Sequence, residues 1–417
     1  MEIVDLTGLA QKLFDDVRTI SADGIGVTRD SYGSGETATA NYLRQFAEEQ
    51  GLHVEADRAA NLVFSLPNGD PAEPVIWVGS HMDSVPQGGN FDGLAGIIAG
   101  LLCLIAQKQR GRGSPTPLRV IAFRGEESAW FGKAYMGSSA LFGKLSSDDL
   151  QLKHRTSGKT LSSYMRNAGA DTAAIAAQEV LFDKAKAKAY LELHIEQGPI
   201  MVARKIALGV VPGIRGNVRH KRITCVGQAG HSGAVPRWLR HDAVFAVAQL
   251  ITRLDEHWRV LLERGVDLVV TAGIIETDSS VHSISRIPGE VSFSFEARSK
   301  NEETIEGFYQ FMRNECSLIS QERGVTFEFD RRLESAPALM DKNICEAFEL
   351  ACDGMGIRWE TVPSGAGHDA SLFANAGIPS GMLFIRNENG SHNPREAMEI
   401  DDFMLGVRVL DHTIGCL

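Results

Sequence analysis

At 417 residues the chain is longer than one ordinary domain, so two are expected, and 43% hydrophobic with 23% charged residues is the texture of a globular protein. A formal net charge of −11 argues against sequence-independent nucleic-acid binding, which needs a basic face to displace counterions. Six scattered cysteines without a Cys-x-x-Cys pair argue against a thiolate zinc site and a disulfide framework.

Met1-Glu-Ile-Val-Asp5 lacks the regions of a signal peptide, and no apolar run approaches the roughly 20 residues of a membrane span, so a cytoplasmic address without a membrane partner is expected. Leu9, Leu13 and Val17 give the first thirty residues amphipathic helix character. A helix is predicted over 36–50, with Tyr42, Leu43 and Phe46 on one face and Gly51 as its stop. Strands follow near 53–56 and 62–66, with a turn at Pro67-Asn-Gly-Asp70. An apolar strand, Val75-Ile-Trp-Val78, leads into Gly79-Ser-His-Met-Asp-Ser-Val-Pro-Gln-Gly-Gly-Asn-Phe-Asp-Gly93 and a helix over 94–108. A Gly/Pro/Ser linker at 111–117 precedes a buried strand at 118–123, and strand character returns at 189–194. Strands alternating with helices predict a βαβ arrangement with a mainly parallel sheet.

Near Val211-Pro-Gly213 the pattern changes. Strands at 218–226, 268–275 and 290–298, helices at 242–263 and 303–322, and a closing strand at 325–329 predict a compact α/β unit. The expected organisation is a catalytic domain in two parts, 1–212 and 326–417, with a smaller inserted domain over 213–325. The second part carries helices at 341–355 and 369–376 and a strand at 381–385.

His81, Asp92, Glu127 and His194 fall at or just beyond the ends of apolar strand runs. Parallel strands point their C-terminal ends one way, so these groups could share a rim, where open α/β sheets place their chemistry. Imidazole and carboxylate ligands without thiolate suit zinc, manganese or cobalt, and a carboxylate can bridge two ions roughly 3.5–4 Å apart. Each residue has an ordinary reading as well: Asp92-Gly93 as a turn, Glu126-Glu127 as a solvated face, His194 as a satisfied core histidine. Jointly those readings are poor.

Seven segments carry a resemblance that spans nearly the whole chain. They are Gly79-Ser-His-Met-Asp83, Gly88-Gly-Asn-Phe-Asp-Gly93, Arg124-Gly-Glu-Glu127, Leu193-His-Ile-Glu-Gln-Gly-Pro199, Gly227-Gln-Ala-Gly-His-Ser-Gly233, Gly365-Ala-Gly-His-Asp-Ala370 and Ser391-His-Asn-Pro-Arg-Glu396. The chain resembles the hydantoinase/carbamoylase branch of the di-zinc aminoacylase/carboxypeptidase superfamily: N-carbamoyl-L-amino-acid hydrolases, β-ureidopropionases and allantoate amidohydrolases. The resemblance implies two divalent ions per subunit, zinc first, with manganese, cobalt or nickel as alternatives. His81 and His194 would hold one, Glu127 and His392 the other, and Asp92 would bridge them. Asp83 would fix the His81 tautomer, and Glu126 would be the general base acting on the bridging water. The small domain would serve as lid and dimer interface in a homodimer, with His231 reaching the partner's site to stabilise an oxyanion. Gln197 would contact the ureido group, Arg298 would grip the substrate carboxylate, and Gly365 and Gly367 would offer backbone N–H groups.

The chain departs from the family pattern in its pocket. Ser285 stands where relatives usually carry Asn, Glu296 where Asp is common, and Ser128-Ala-Trp-Phe131 replaces Gly-Ser-Arg-Phe, so Trp130 is either a larger apolar wall or a packing residue. The expected activity is hydrolysis of a linear, non-peptide C–N bond in a small carboxylate substrate, an N-carbamoyl-L-amino acid first. Allantoate or β-ureidopropionate hydrolysis is the near alternative and an aminoacylase or dipeptidase the further one. A catalytically inactive binding protein is the reading from another class.

Overall fold

A computed structural model describes residues 6–67, 74–111 and 116–417. The Met1–Asp5 terminus lies outside them, as do most of the expected turn at 67–70 and the middle of the linker at 111–117. The chain divides into two compact units, Met1–Ile214 with Leu339–Leu417, and Arg215–Ala338.

The larger unit is built on an eight-stranded mixed sheet. Its order is Trp359–Thr361, Leu208–Val211, Ser380–Ile385, Ala187–Ile195, Val75–His81, Leu118–Phe123, Leu62–Ser65 and His53–Ala56. The four strands from Ser380–Ile385 to Leu118–Phe123 run parallel. Leu208–Val211 is antiparallel to its Ser380–Ile385 neighbour, and Leu62–Ser65 and His53–Ala56 form an antiparallel edge. Central parallel strands are covered on both faces and read as continuous apolar runs; all seven residues of Val75–His81 are buried. The two short strands Leu208–Val211 and Trp359–Thr361 escape the sequence reading.

Helix Leu94–Gln109 is apolar on every side and almost wholly buried. Thr7–Ser21, Lys342–Gly354 and Ile400–Cys416 contribute their apolar faces to the same core, through Leu13, Phe14, Phe348, Phe403 and Leu410. That core anchors the loops at the C-terminal ends of the parallel strands.

The smaller unit is antiparallel. Gly216–Val226 pairs with Glu290–Ser299 on one side and with Thr326–Phe329 and Leu333–Ser335 on the other. Helices Ala243–Glu263 and Glu302–Arg323 share its core. Asp242 and Asn301 cap their N-termini through side-chain acceptors, and Gly324 ends the second helix at φ +65°. The expected strand at 268–275 is interrupted: Val269–Thr271 and Ile275–Glu276 pair separately with Glu290–Ser299. The junctions fall at 214/215 and 338/339 rather than 212/213 and 325/326, because Thr326–Phe329 and Leu333–Ser335 hydrogen-bond into the smaller sheet.

Candidate metal centre

The rim of the larger sheet gathers the expected ligands. Val75–His81 delivers His81 at its last residue, Ala187–Ile195 delivers His194, and Glu126-Glu127 follow Leu118–Phe123 after Arg124 and Gly125. Asp83 organises this corner. Fully buried, it accepts the backbone N–H of Glu126 through Oδ1 and that of Glu127 through Oδ2, each at 3.0 Å. Its Oδ1 also lies 3.3 Å from His81 Nδ1. The Arg124 end of the same turn is held by Glu36, whose carboxylate takes an Arg124 Nη1–H at 2.9 Å and the Gly125 N–H at 2.8 Å.

The imidazole tautomers follow from these partners. His81 Nδ1 meets the carbonyl and carboxylate oxygens of Asp83, and His194 Nδ1 meets the Ile195 carbonyl at 2.9 Å. Both Nδ1 atoms therefore carry the proton, which leaves each Nε2 lone pair facing the site. Burial keeps His194 neutral, its pKa pushed down to about 4.

The two oxygens of Asp92 face different groups. Oδ1 lies 3.2 Å from His194 Nε2 and 3.7 Å from His81 Nε2. Oδ2 lies 3.4 Å from His392 Nε2, which is itself 3.2 Å from Glu127 Oε1. The potential ligand atoms of His81, Asp92 and His194 lie within 4.8 Å of one another, and so do those of Asp92, Glu127 and His392. Asp92 Oδ1 and His194 Nε2 are buried without a hydrogen-bond partner among the described residues. Buried polar atoms are rarely left this way, and two that converge fit a cation. Donor chemistry agrees, since nitrogen and oxygen without sulfur suit zinc and its first-row neighbours. Burial works against ionisation of Asp92, but its neighbours, His392 above all, outweigh burial and hold the carboxylate well below its ordinary range. Asp92 and Glu127 in turn push His392 up to about 11.

Glu126 stands beside this set, with Oε2 4.0 Å from His81 Nε2. Burial raises its pKa well above the ordinary value, and Glu127, Asp369 and Asp83 add to the effect. Gln197 donates from Nε2 to Asp92 Oδ2 at 2.9 Å, while its Oε1 is buried and unpartnered among the described residues. Gln197 and His392 both adopt positive φ, +62° and +59°, the kind of backbone strain that collects at functional sites. Gly365 and Gly367 lie in the loop after Ser364. The Tyr135 hydroxyl fills the space that a side chain at Gly367 would need.

The other expected residues lie in the smaller unit. His231 and Ser285 are exposed and belong to neighbouring segments, with the ribbon registering His231 opposite Arg286 and the Ser232 N–H donating to the Ser285 carbonyl at 2.8 Å. The Arg298 fork grips Glu296, with Nε–Oε2 at 2.9 Å and Nη2–Oε1 at 3.0 Å, and Arg219 takes the same carboxylate at 2.8 Å.

Two features went unassigned in the sequence reading. His368 is buried, packs 4.4 Å from His194 ring to ring, and meets Ser364 Oγ through Nε2 at 2.8 Å. It sits inside the quoted segment Gly365–Ala370, where only the glycines had been given roles. Glu192, two residues before His194, ties the strands to that segment by accepting Ser80 Oγ–H at 2.8 Å and the Ala370 N–H at 2.9 Å. Trp130 proves to be a packing residue. Its indole N–H donates to the Ser84 carbonyl at 2.8 Å, and its ring stacks on His154, which stacks on Tyr164.

Comparison with known proteins identifies the family. The model of peptidase family M20/M25/M40 matches residues 77–415. An N-carbamoyl-L-amino acid amidohydrolase from Geobacillus stearothermophilus is 34% identical over 390 residues, 93% of each chain. Allantoate amidohydrolase from Escherichia coli is 29% identical over 92% of this chain and 91% of its own. The crystal structure of a hydantoinase/carbamoylase family amidase from Burkholderia multivorans superposes with a TM-score of 0.88 at 26% identity, covering 98% of this chain and 97% of that one. The chain therefore belongs to peptidase family M20/M25/M40, a metal-dependent family, and within it to the hydantoinase/carbamoylase amidases.

Proposed function

We propose that this metal-dependent amidohydrolase cleaves the ureido C–N bond of an N-carbamoyl-L-amino acid, yielding the amino acid, carbon dioxide and ammonia. The observation that carries the reading is the division of Asp92, one oxygen towards His81 and His194 and the other towards His392 and Glu127. That division supports two divalent ions sharing one carboxylate, zinc first and manganese, cobalt or nickel by availability. The ions would supply Lewis acidity, polarising the ureido carbonyl and easing the deprotonation of water.

The protein's own groups do the rest. Asp83 fixes the His81 ring and the Glu126-Glu127 turn. Glu126, its proton affinity raised by burial, takes a proton at its carboxylate and returns it to the leaving nitrogen. Gln197 presents its unpartnered Oε1 to the ureido N–H groups. Arg298 receives the substrate carboxylate once Glu296 yields, with Ser285 and the N–H groups of Gly365 and Gly367 as further contacts. The choice of an N-carbamoyl amino acid over allantoate leans on the greater identity to the Geobacillus enzyme.

We place the enzyme in the cytoplasm as a homodimer, with His231 acting across the interface. All six cysteines are free thiols, which suits a reducing compartment, and no described helix is long and apolar enough to cross a membrane. The smaller unit exposes Trp238, Phe245 and Ile284, apolar side chains that a second copy would cover. Ammonia release measured across N-carbamoyl amino acids, allantoate, β-ureidopropionate and N-acyl amino acids tests the assignment. Turnover of N-acyl substrates with silence on every ureido compound would overturn it.

A further inference from the structure

We propose that Arg29 and Glu396 are a pair of positioning residues that set the Asp92 carboxylate by gripping its peptide segment from opposite electrostatic sides. Arg29 has no exposed surface, and among the described residues it makes no ion pair. A buried guanidinium without a carboxylate partner is expensive, so its acceptors are informative. All of them belong to the 79–93 loop. Nε–H donates to the Met82 carbonyl at 2.7 Å, Nη1–H to Asn90 Oδ1 at 3.2 Å and Nη2–H to the Asp92 carbonyl at 3.5 Å. The Arg29 backbone is tied to the same loop, its N–H to Ser84 Oγ and its carbonyl to the Ser84 N–H, each at 3.0 Å.

Glu396 takes the complementary groups. Its Oε1 accepts the N–H of Phe91 at 2.8 Å and that of Asp92 at 3.2 Å, while Oε2 accepts Ser391 Oγ–H. Ser391 Oγ also lies 2.7 Å from Asp92 Oδ2, so its single proton serves either carboxylate and links Glu396 to Asp92. A side chain on Gly89 would strike the Glu396 carboxylate, which explains a glycine there. The Arg29 guanidinium therefore holds the carbonyl end of Asp92 and the Glu396 carboxyl group its N–H end. Groups that orient a ligand in this way commonly contribute a factor of roughly 10–100 in metal affinity.

The inference rests on Asp92 being a shared metal ligand, and one experiment separates the two claims. Metal-free wild type, Arg29→Lys, Arg29→Met, Glu396→Gln, the double variant Arg29→Lys/Glu396→Gln and Asp92→Asn are titrated with Zn²⁺ against a chromogenic chelator, alongside kcat, KM and thermal unfolding. Each positioning variant should lose roughly 10–100-fold in affinity for at least one ion, with kcat falling and KM little changed. The double variant should lose no more than about the larger single loss, since both residues act on one peptide. If Arg29→Met does not fold, the lysine and glutamine variants carry the test. Wild-type affinity in Arg29→Lys and Glu396→Gln, with only a lowered Tm, would overturn the inference while loss of metal in Asp92→Asn left the ligand reading intact. Wild-type affinity in Asp92→Asn would overturn both.

Discussion

In the larger unit most polar groups of the site are buried and bound to one another: Asp83, Asp92, Glu127 and His194 are each at most 5% exposed, and His392, with 53% of its side chain exposed, is the exception. In the smaller unit His231 and Ser285 stand in solvent, and Arg298 is occupied by a neighbouring glutamate. Displacing any buried group leaves its partners unsatisfied at about 1–3 kcal/mol each, whereas an exposed residue exchanges contacts with water at little cost. On the proposed reading, the chemistry of the reaction would sit mostly where substitution is expensive and the choice of substrate mostly where it is cheap. The departure from the family pattern at Ser285 falls on the inexpensive side, whereas Glu296 is tied to Arg298 and Arg219.

The contrast can be broken most directly at Glu126. Glu126→Gln should lower kcat by about 10²–10⁴-fold while metal content, read by plasma emission, stays at the wild-type level; loss of metal instead would make Glu126 a ligand. Next comes Arg298→Gln, which should raise KM for carboxylate substrates by about 10–100-fold, the worth of a charge-assisted pair at about 1.5–3 kcal/mol, with kcat little altered. Unchanged KM would remove Arg298 from substrate recognition.

Trp130 sharpens the boundary between the two kinds of residue. Trp130→Phe gives up the hydrogen bond to the Ser84 carbonyl and should cost about 1 kcal/mol in urea unfolding, with the ranking of substrates by kcat/KM preserved. A changed ranking would make the indole a pocket wall. The smallest effect concerns Asp267. Burial would raise its pKa, but Arg215 and the Lys300 N–H outweigh burial and hold it below the ordinary carboxylate value. A carboxyl depressed in the folded state stabilises above its unfolded pKa of about 3.9, and that stability is lost as pH falls through the folded value. Asp267→Asn should therefore reduce stability at pH 7 by about 1 kcal/mol at most, given partial exposure. The gap from wild type should close in melts taken below about pH 4.

The candidate metal rim was legible because His81, Glu127 and His194 follow apolar runs that read as buried strands, and because the segments that bear the candidate ligands match a family pattern. Arg29, Glu396 and Glu192 were not legible, since the loop and strand partners that define their roles lie 53 or more residues away and nothing local marks a charged residue as buried. Trp130 was ambiguous for the same reason, with its stacking partner His154 far along the chain. The capture of Arg298 by Glu296 could have been read directly: residues two apart on a strand share a face, and Glu290–Ser299 is a strand in both descriptions.

Helix Leu94–Gln109 has one more consequence. It begins immediately after Gly93, so the ligand loop is continuous with the most deeply enclosed helix of the larger unit. A segment with no solvent face cannot fray independently, and its amides exchange only through opening of the whole core. The loop that carries His81 and Asp92 should thus exchange hydrogen as slowly as the core itself, even in metal-free protein. The site would then be a property of the folded unit rather than of a flexible loop that waits for metal to order it.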